Sequence, residues 1–170
     1  MSSERRPFIP IGYLDAGTFS SDLVFVIDDA MPFHFGILSS TMHNAWMRQV
    51  GGRLESRYRY SKDIVYNNFP WPDKPSDEQR KDIEVAAQGV LIARQTAMKG
   101  DSDATLAVLY NPETMPAALV KAHQILDRAV DAAYVLDGGK RKWAGDAERV
   151  AFLFRRYREI TSLLPEASST

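Results

Sequence analysis

Residues 53–60, RLESRYRY, alternate in character, with Arg53, Glu55, Arg57 and Arg59 at every second position. Extended backbone sends successive side chains to opposite sides. A strand here therefore carries those four on one face and Leu54, Ser56, Tyr58 and Tyr60 on the other. From Arg48 to Lys62 the cations Arg48, Arg53, Arg57, Arg59 and Lys62 stand against one acid, Glu55, a local charge of +4. The chemistry open to this set is recognition. Cations neutralise phosphates, while forked donors and carboxylate acceptors suit the edges of DNA bases. Arginine outnumbers lysine here, and only arginine makes bidentate contacts. A solvated strand face with an internal Glu–Arg pair is the other use of the same pattern.

Bond-making chemistry is hard to find. His34, His43 and His123 lack the spacing of metal ligands and read as core or capping residues. The sequence has no G-x-S-x-G elbow, Walker loop or G-x-G-x-x-G. Cysteine is absent, which removes disulfides and thiolate sites and fits a reducing cytoplasm. With 170 residues, 45% hydrophobic and 25% charged, the composition is that of a folded globular protein. Its net charge of −1 means that nucleic-acid affinity must come from local clustering. No apolar run reaches membrane-span length, and the N-terminus lacks a signal-like segment, so neither a membrane nor export is expected.

The elements that must position the basic set follow from periodicity. Pro7–Leu14 and Leu23–Ile27 are short apolar runs that predict strands. The rhythm of 33–50 predicts one helix closing at Gly51-Gly52. Residues 53–60 and 63–67 predict two strands of a hairpin turning at Ser61-Lys62. Pro70, Pro72 and Pro75 then form a stiff connector. Ser76 and Gln79 make a capping box opening a helix to about Lys99 with Ile83, Ala87, Val90 and Leu91 as its stripe. Further helices are predicted from Pro116 to Gly138-Gly139 and from Asp146 to Pro165, and Pro112 gives an additional start signal. A second basic stretch, residues 140–158, and the acids Asp127 and Asp131 read mainly as solvated helix faces.

His34 to Pro72 (HFGILSSTMHNAWMRQVGGRLESRYRYSKDIVYNNFPWP) resembles the end of the target-recognition domain of MmeI-like type IIL enzymes. RPFIPIG at Arg6–Gly12 is similar to text of that same domain. Leu109–Tyr134 (LYNPETMPAALVKAHQILDRAVDAAY) and Glu148–Thr161 (ERVAFLFRRYREIT) resemble the family's helical C-terminal domain. The family joins a restriction nuclease and a DNA adenine-N6 methyltransferase in one chain. The resemblance implies an α+β fold, with a small mixed strand and helix part of the target-recognition domain over 1–74 and a three-helix C-terminal bundle over 75–170. It implies double-stranded DNA and the parent's methyltransferase and nuclease domains as partners.

The family varies a residue pair ahead of the Arg-Tyr-Ser text with the base pair read, and the matching positions here are Glu55 and Arg57. On that resemblance Glu55, Arg57 and Arg59 are the expected base readers, and Arg48, Arg53 and Lys62 the phosphate contacts. A carboxylate accepts from cytosine and arginine donates twice to guanine, so the pair suits C·G. The Asn-Pro-Pro-aromatic motif, the glycine-rich cofactor loop and the nuclease motif are missing. The chain therefore reads as the carboxy-terminal portion of such an enzyme, with S-adenosylmethionine and Mg2+ expected only for the full-length protein. The competing expectation is a helical protein-interaction scaffold that makes no DNA contact.

Overall fold

Two serines split the single helix that apolar spacing predicts over 33–50. A computed structural model describes residues 2–3, 5–15, 17–20, 24–55, 57–99, 105–134 and 143–162. In it α1 spans Pro32–Leu38 and α2 spans Thr41–Val50, with a break at Ser39-Ser40. The break is a new helix start: Ser40 Oγ accepts from the backbone N of His43, the ordinary N-cap arrangement. A second acceptor comes from far along the chain. Asp127 takes hydrogen bonds from the Thr41 backbone N at 2.7 Å and the Thr41 hydroxyl at 2.6 Å. The acid that sequence reads as solvated is thus a partly buried helix cap, and its desolvation raises its pKa despite the two bonds.

Neither predicted amino-terminal strand forms. Residues 7–15 are irregular, as are 24–27, while 21–23 lie outside the described residues. Pro7 and Pro10 lack the N–H a ladder needs, and the apolar residues between them serve as single plugs. Phe8 and Ile9 are buried, and Phe8 stacks on His123 with ring centroids 4.0 Å apart. The sheet is instead three short antiparallel strands in the order β1 (Ser2–Ser3), β3 (Arg57–Arg59), β2 (Gly52–Leu54). The second predicted hairpin strand is a π-helix, Lys62–Tyr66. Its buried Val65 offers a carbonyl to the indole N of Trp46 at 3.1 Å.

The carboxy-terminal half follows its start signals closely. α3 spans Asp77–Met98 behind the Ser76–Gln79 capping box, α4 is Leu106–Leu109, α5 is Ala117–Ala133 and α6 is Asp146–Thr161. Pro112 opens only a turn. The predicted end at Gly138-Gly139, and that near Pro165, lie outside the described residues. The α+β class stands, and the three long helices share their core with the amino-terminal pair. α3 packs on both α5 and α1, whereas α6 lies chiefly along α2. Arg149 on α6 reaches Asp131 on α5 at 2.7 Å, so that acid too is paired rather than solvated.

A buried polar chain fixes the irregular segment to this core. Arg94, only 4% exposed, donates from Nε to Tyr110 Oη at 2.6 Å and from Nη1 to the Ile11 carbonyl. Tyr110 Oη lies 2.7 Å from His123 Nε2. Burial, with the Arg94 charge nearby, holds that imidazole neutral. Burial lowers the pKa of both His123 and His43 from 6.5 to about 3.

Two outcomes follow. Around Gly36 an added Cβ would lie 2.7 Å from Ile83 Cγ2 and 3.3 Å from Leu126 Cδ1. Gly36→Ala therefore destabilises the fold by about 1–3 kcal/mol in urea titration, although alanine is the better helix former by about 1 kcal/mol. As for pH, the unfolded chain protonates His43 and His123 below 6.5 while the folded one resists to about 3. The stability these neutral rings contribute is complete above pH 6.5 and lost as pH falls. By pH 5 each costs about 2 kcal/mol relative to pH 7, and His43→Asn with His123→Asn flattens that slope in urea titrations.

Candidate nucleic-acid interface

The basic segment begins where α2 ends. Gly51 caps α2, donating to the Met47 carbonyl at 2.9 Å, and a Cβ at Gly51 would stand 2.5 Å from that oxygen. Only glycine lets the helix turn so closely into β2. β2 and β3 then pair antiparallel with Gly52 opposite Arg59, Arg53 opposite Tyr58 and Leu54 opposite Arg57. The hairpin is real, but the chain turns after Leu54, at Glu55, and not at Ser61-Lys62.

This register corrects the predicted face. Directly opposed residues point to the same side of a sheet, so Arg53 shares a face with Tyr58, while Leu54, Arg57 and Arg59 share the other with Gly52. The Tyr58 side is the inner one. Tyr58 is buried, and the Arg53 guanidinium sits 4.7 Å over its ring and 3.3 Å from its hydroxyl. Glu55 belongs to neither strand. It occupies the turn with φ of 55°, the left-handed conformation that two-residue hairpin loops require and normally give to Asn or Gly. For a residue with a Cβ this costs about 1–2 kcal/mol. The alternation missed this turn because a glutamate carries no turn signature.

The structure therefore brings Glu55, Arg57 and Arg59 together at one exposed end and separates them from Arg53. Among the described residues, the side chains of Glu55, Arg57, Arg59 and Lys62 have no ion-pair or hydrogen-bond partner. Arg48 is different. It donates to the Arg6 carbonyl at 2.9 Å and lies 3.5 Å from Asp146 at the start of α6. Lys62 stands exposed at the first position of the π-helix.

Beneath the hairpin the packing is aromatic. Tyr60 Oη is 2.8 Å from His43 Nε2, and burial, with Tyr66 nearby, raises the Tyr60 pKa. Phe25 stacks on Tyr60 with centroids 5.5 Å apart, and Trp46 meets Phe154 and Tyr157 of α6 at 5.1 and 6.0 Å. These contacts fix the hairpin to α2 and α2 to α6. In the second basic stretch three of the described arginines are paired: Arg149 with Asp131, and Arg156 with Asp73 at 3.6 Å and Glu159 at 3.0 Å. Arg155 lies 3.9 Å from Glu159, and residues 140–142 lie outside the described set. Among the described residues no three His, Cys, Asp or Glu side chains cluster as metal ligands, and no helix is long and apolar enough to cross a membrane.

Known proteins share this arrangement. Residues 1–73 match the family model described as MmeI, target recognition domain, and residues 75–165 the one described as MmeI, C-terminal domain. The chain is 41% identical over 161 residues to DNA methyltransferase A of Bacillus subtilis (strain 168), covering 95% of this chain and 17% of that protein. It also superimposes with a TM-score of 0.85, at 52% identity, on a solved type IIL restriction-modification enzyme, MmeI, in complex with DNA. That match covers 95% of this chain and 20% of the solved one, so the chain spans about a fifth of the length of these relatives.

The left-handed Glu55 yields a check on the turn itself. Glu55→Asn relieves the backbone and raises stability by about 0.5–1 kcal/mol in thermal or urea unfolding. A loss of stability would mean that the turn lies elsewhere.

Proposed function

The chain belongs to the MmeI family, spanning its target recognition and C-terminal domains, and from that premise we propose a sequence-reading module that positions duplex DNA for chemistry done elsewhere. The observation that carries this reading is the hairpin end, where Glu55, Arg57 and Arg59 project without partners among the described residues from a sheet whose inner face is packed. A two-stranded ribbon fits the major groove, and a strained, exposed acid at its tip is the kind of outlier that binding sites retain.

In this reading Arg57 donates twice to guanine and Glu55 accepts from the paired cytosine, with Arg59 beside them as a further base or phosphate contact. Lys62 neutralises a phosphate. Arg53 and Arg48 act one step back: stacking on Tyr58 steadies the hairpin, and the Arg6 and Asp146 contacts join α2 to α6. Adenine-N6 methylation and cleavage, with S-adenosylmethionine and Mg2+, belong to catalytic parts such as those of the longer relatives. The motifs for them are missing from the sequence. In this reading the module works in the cytoplasm, alongside its DNA.

Fluorescence anisotropy on labelled duplexes at two salt concentrations tests this. The chain binds at low salt and weakens steeply as salt rises. Arg57→Ala lowers discrimination between the preferred duplex and one with its C·G pair changed by about 1–3 kcal/mol, whereas Lys62→Ala weakens all duplexes alike and reduces the salt slope by about one. No binding at low salt sinks the proposal, and unchanged affinity in Arg57→Ala favours a protein-interaction role for the module.

A further inference from the structure

The outer face of the hairpin holds one residue that charge does not explain. Leu54 is 56% exposed and stands directly opposite Arg57. It is not part of the hydrophobic core, nor among the apolar residues packed against it. β2 is also an edge of the sheet, where an exposed apolar side chain invites unwanted pairing and a charged one is the usual choice. The neighbouring outer-face position is Gly52, where an added Cβ would meet nothing within 4 Å. The face is thus stepped: open backbone opposite Arg59, then a branched apolar side chain opposite Arg57.

Cross-strand neighbours on one face have Cβ atoms about 4.5–5.5 Å apart, so whatever base edge Arg57 meets, Leu54 meets an adjoining one. The only apolar group that a base presents in the major groove is the C5 methyl of thymine. Resting on the DNA-reading role proposed above, we infer that Leu54 is a further specificity-determining residue, which reads the methyl of a thymine beside the base pair contacted by Arg57. Arginine then fixes one pair by hydrogen bonds, and leucine fixes its neighbour by contact with the methyl group.

Deoxyuridine, which is thymidine without that methyl, isolates the contact. Selection from a degenerate duplex pool with the whole chain supplies the preferred site, and each thymine in it is then replaced singly by deoxyuridine. At one thymine next to the Arg57-dependent pair, replacement weakens binding by the wild-type chain about fourfold, the worth of one buried methyl. In Leu54→Ala, and in Leu54→Ser as a second variant, the same replacement has no effect while the Arg57-dependent preference persists. Because Leu54 is exposed, both variants keep the wild-type unfolding midpoint. The inference is overturned if no deoxyuridine replacement matters to the wild type, or if the Leu54 variants retain the full dT preference. Loss of all DNA binding by the wild-type chain would overturn the underlying DNA-reading proposal as well, which separates the two failures.

Discussion

The hairpin has its place because a carboxylate from the far half of the chain caps the helix that carries it. Asp127 on α5 accepts twice from Thr41, and with Ser40 it satisfies donors that a helix start otherwise leaves bare. α2 runs from that cap to Gly51, and Gly51 passes directly into β2. Any shift of α5 relative to α2 is therefore transmitted to the hairpin. The acid accepts a desolvation penalty to make this joint, which fits a residue whose value is geometric.

The rest of the core supports the same joint from both sides. α1 crosses α3 at glycine distance through Gly36, and α6 seats Phe154 and Tyr157 on Trp46. Arg94, Tyr110 and His123 then bind the proline-interrupted segment at Ile11 into the helical half. Buried arginine without a carboxylate partner among the described residues is costly. Here the charge lies between the rings of Phe35 and Tyr110, at 5.1 and 4.8 Å, which partly offsets its lost hydration. The two family-matched portions thus share one continuous core, which suits a module that must hold a reading element rigidly.

Much of this was legible in the sequence, unevenly and for physical reasons. Ser76 and Gln79, Pro116 and Asp146 announced their helices because a capping box, a proline at a helix start and a first-turn acid are local signals. The break at Ser39-Ser40 was not visible, since it depends on Asp127 arriving 86 residues later. The strand expected at 7–14 failed because Pro7 and Pro10 remove ladder donors, while nothing in the run 24–27 accounts for its irregular backbone. At the candidate site the residue types were read from the alternation, while their face was not. Placing the turn at Glu55 put Arg53 on the Tyr58 face and Leu54 on the opposite one, and no composition rule marks that glutamate as a turn.

That inversion of faces has an evolutionary consequence. Buried Tyr58, with the exposed Arg53 laid over its ring, secures the hairpin on one face, and Gly52, Leu54, Arg57 and Arg59 lie on the other without contributing to the core. Selection on folding therefore acts on one set of side chains and leaves the other open to different constraints. The outward positions can therefore change side chains without the protein passing through an unstable ancestor.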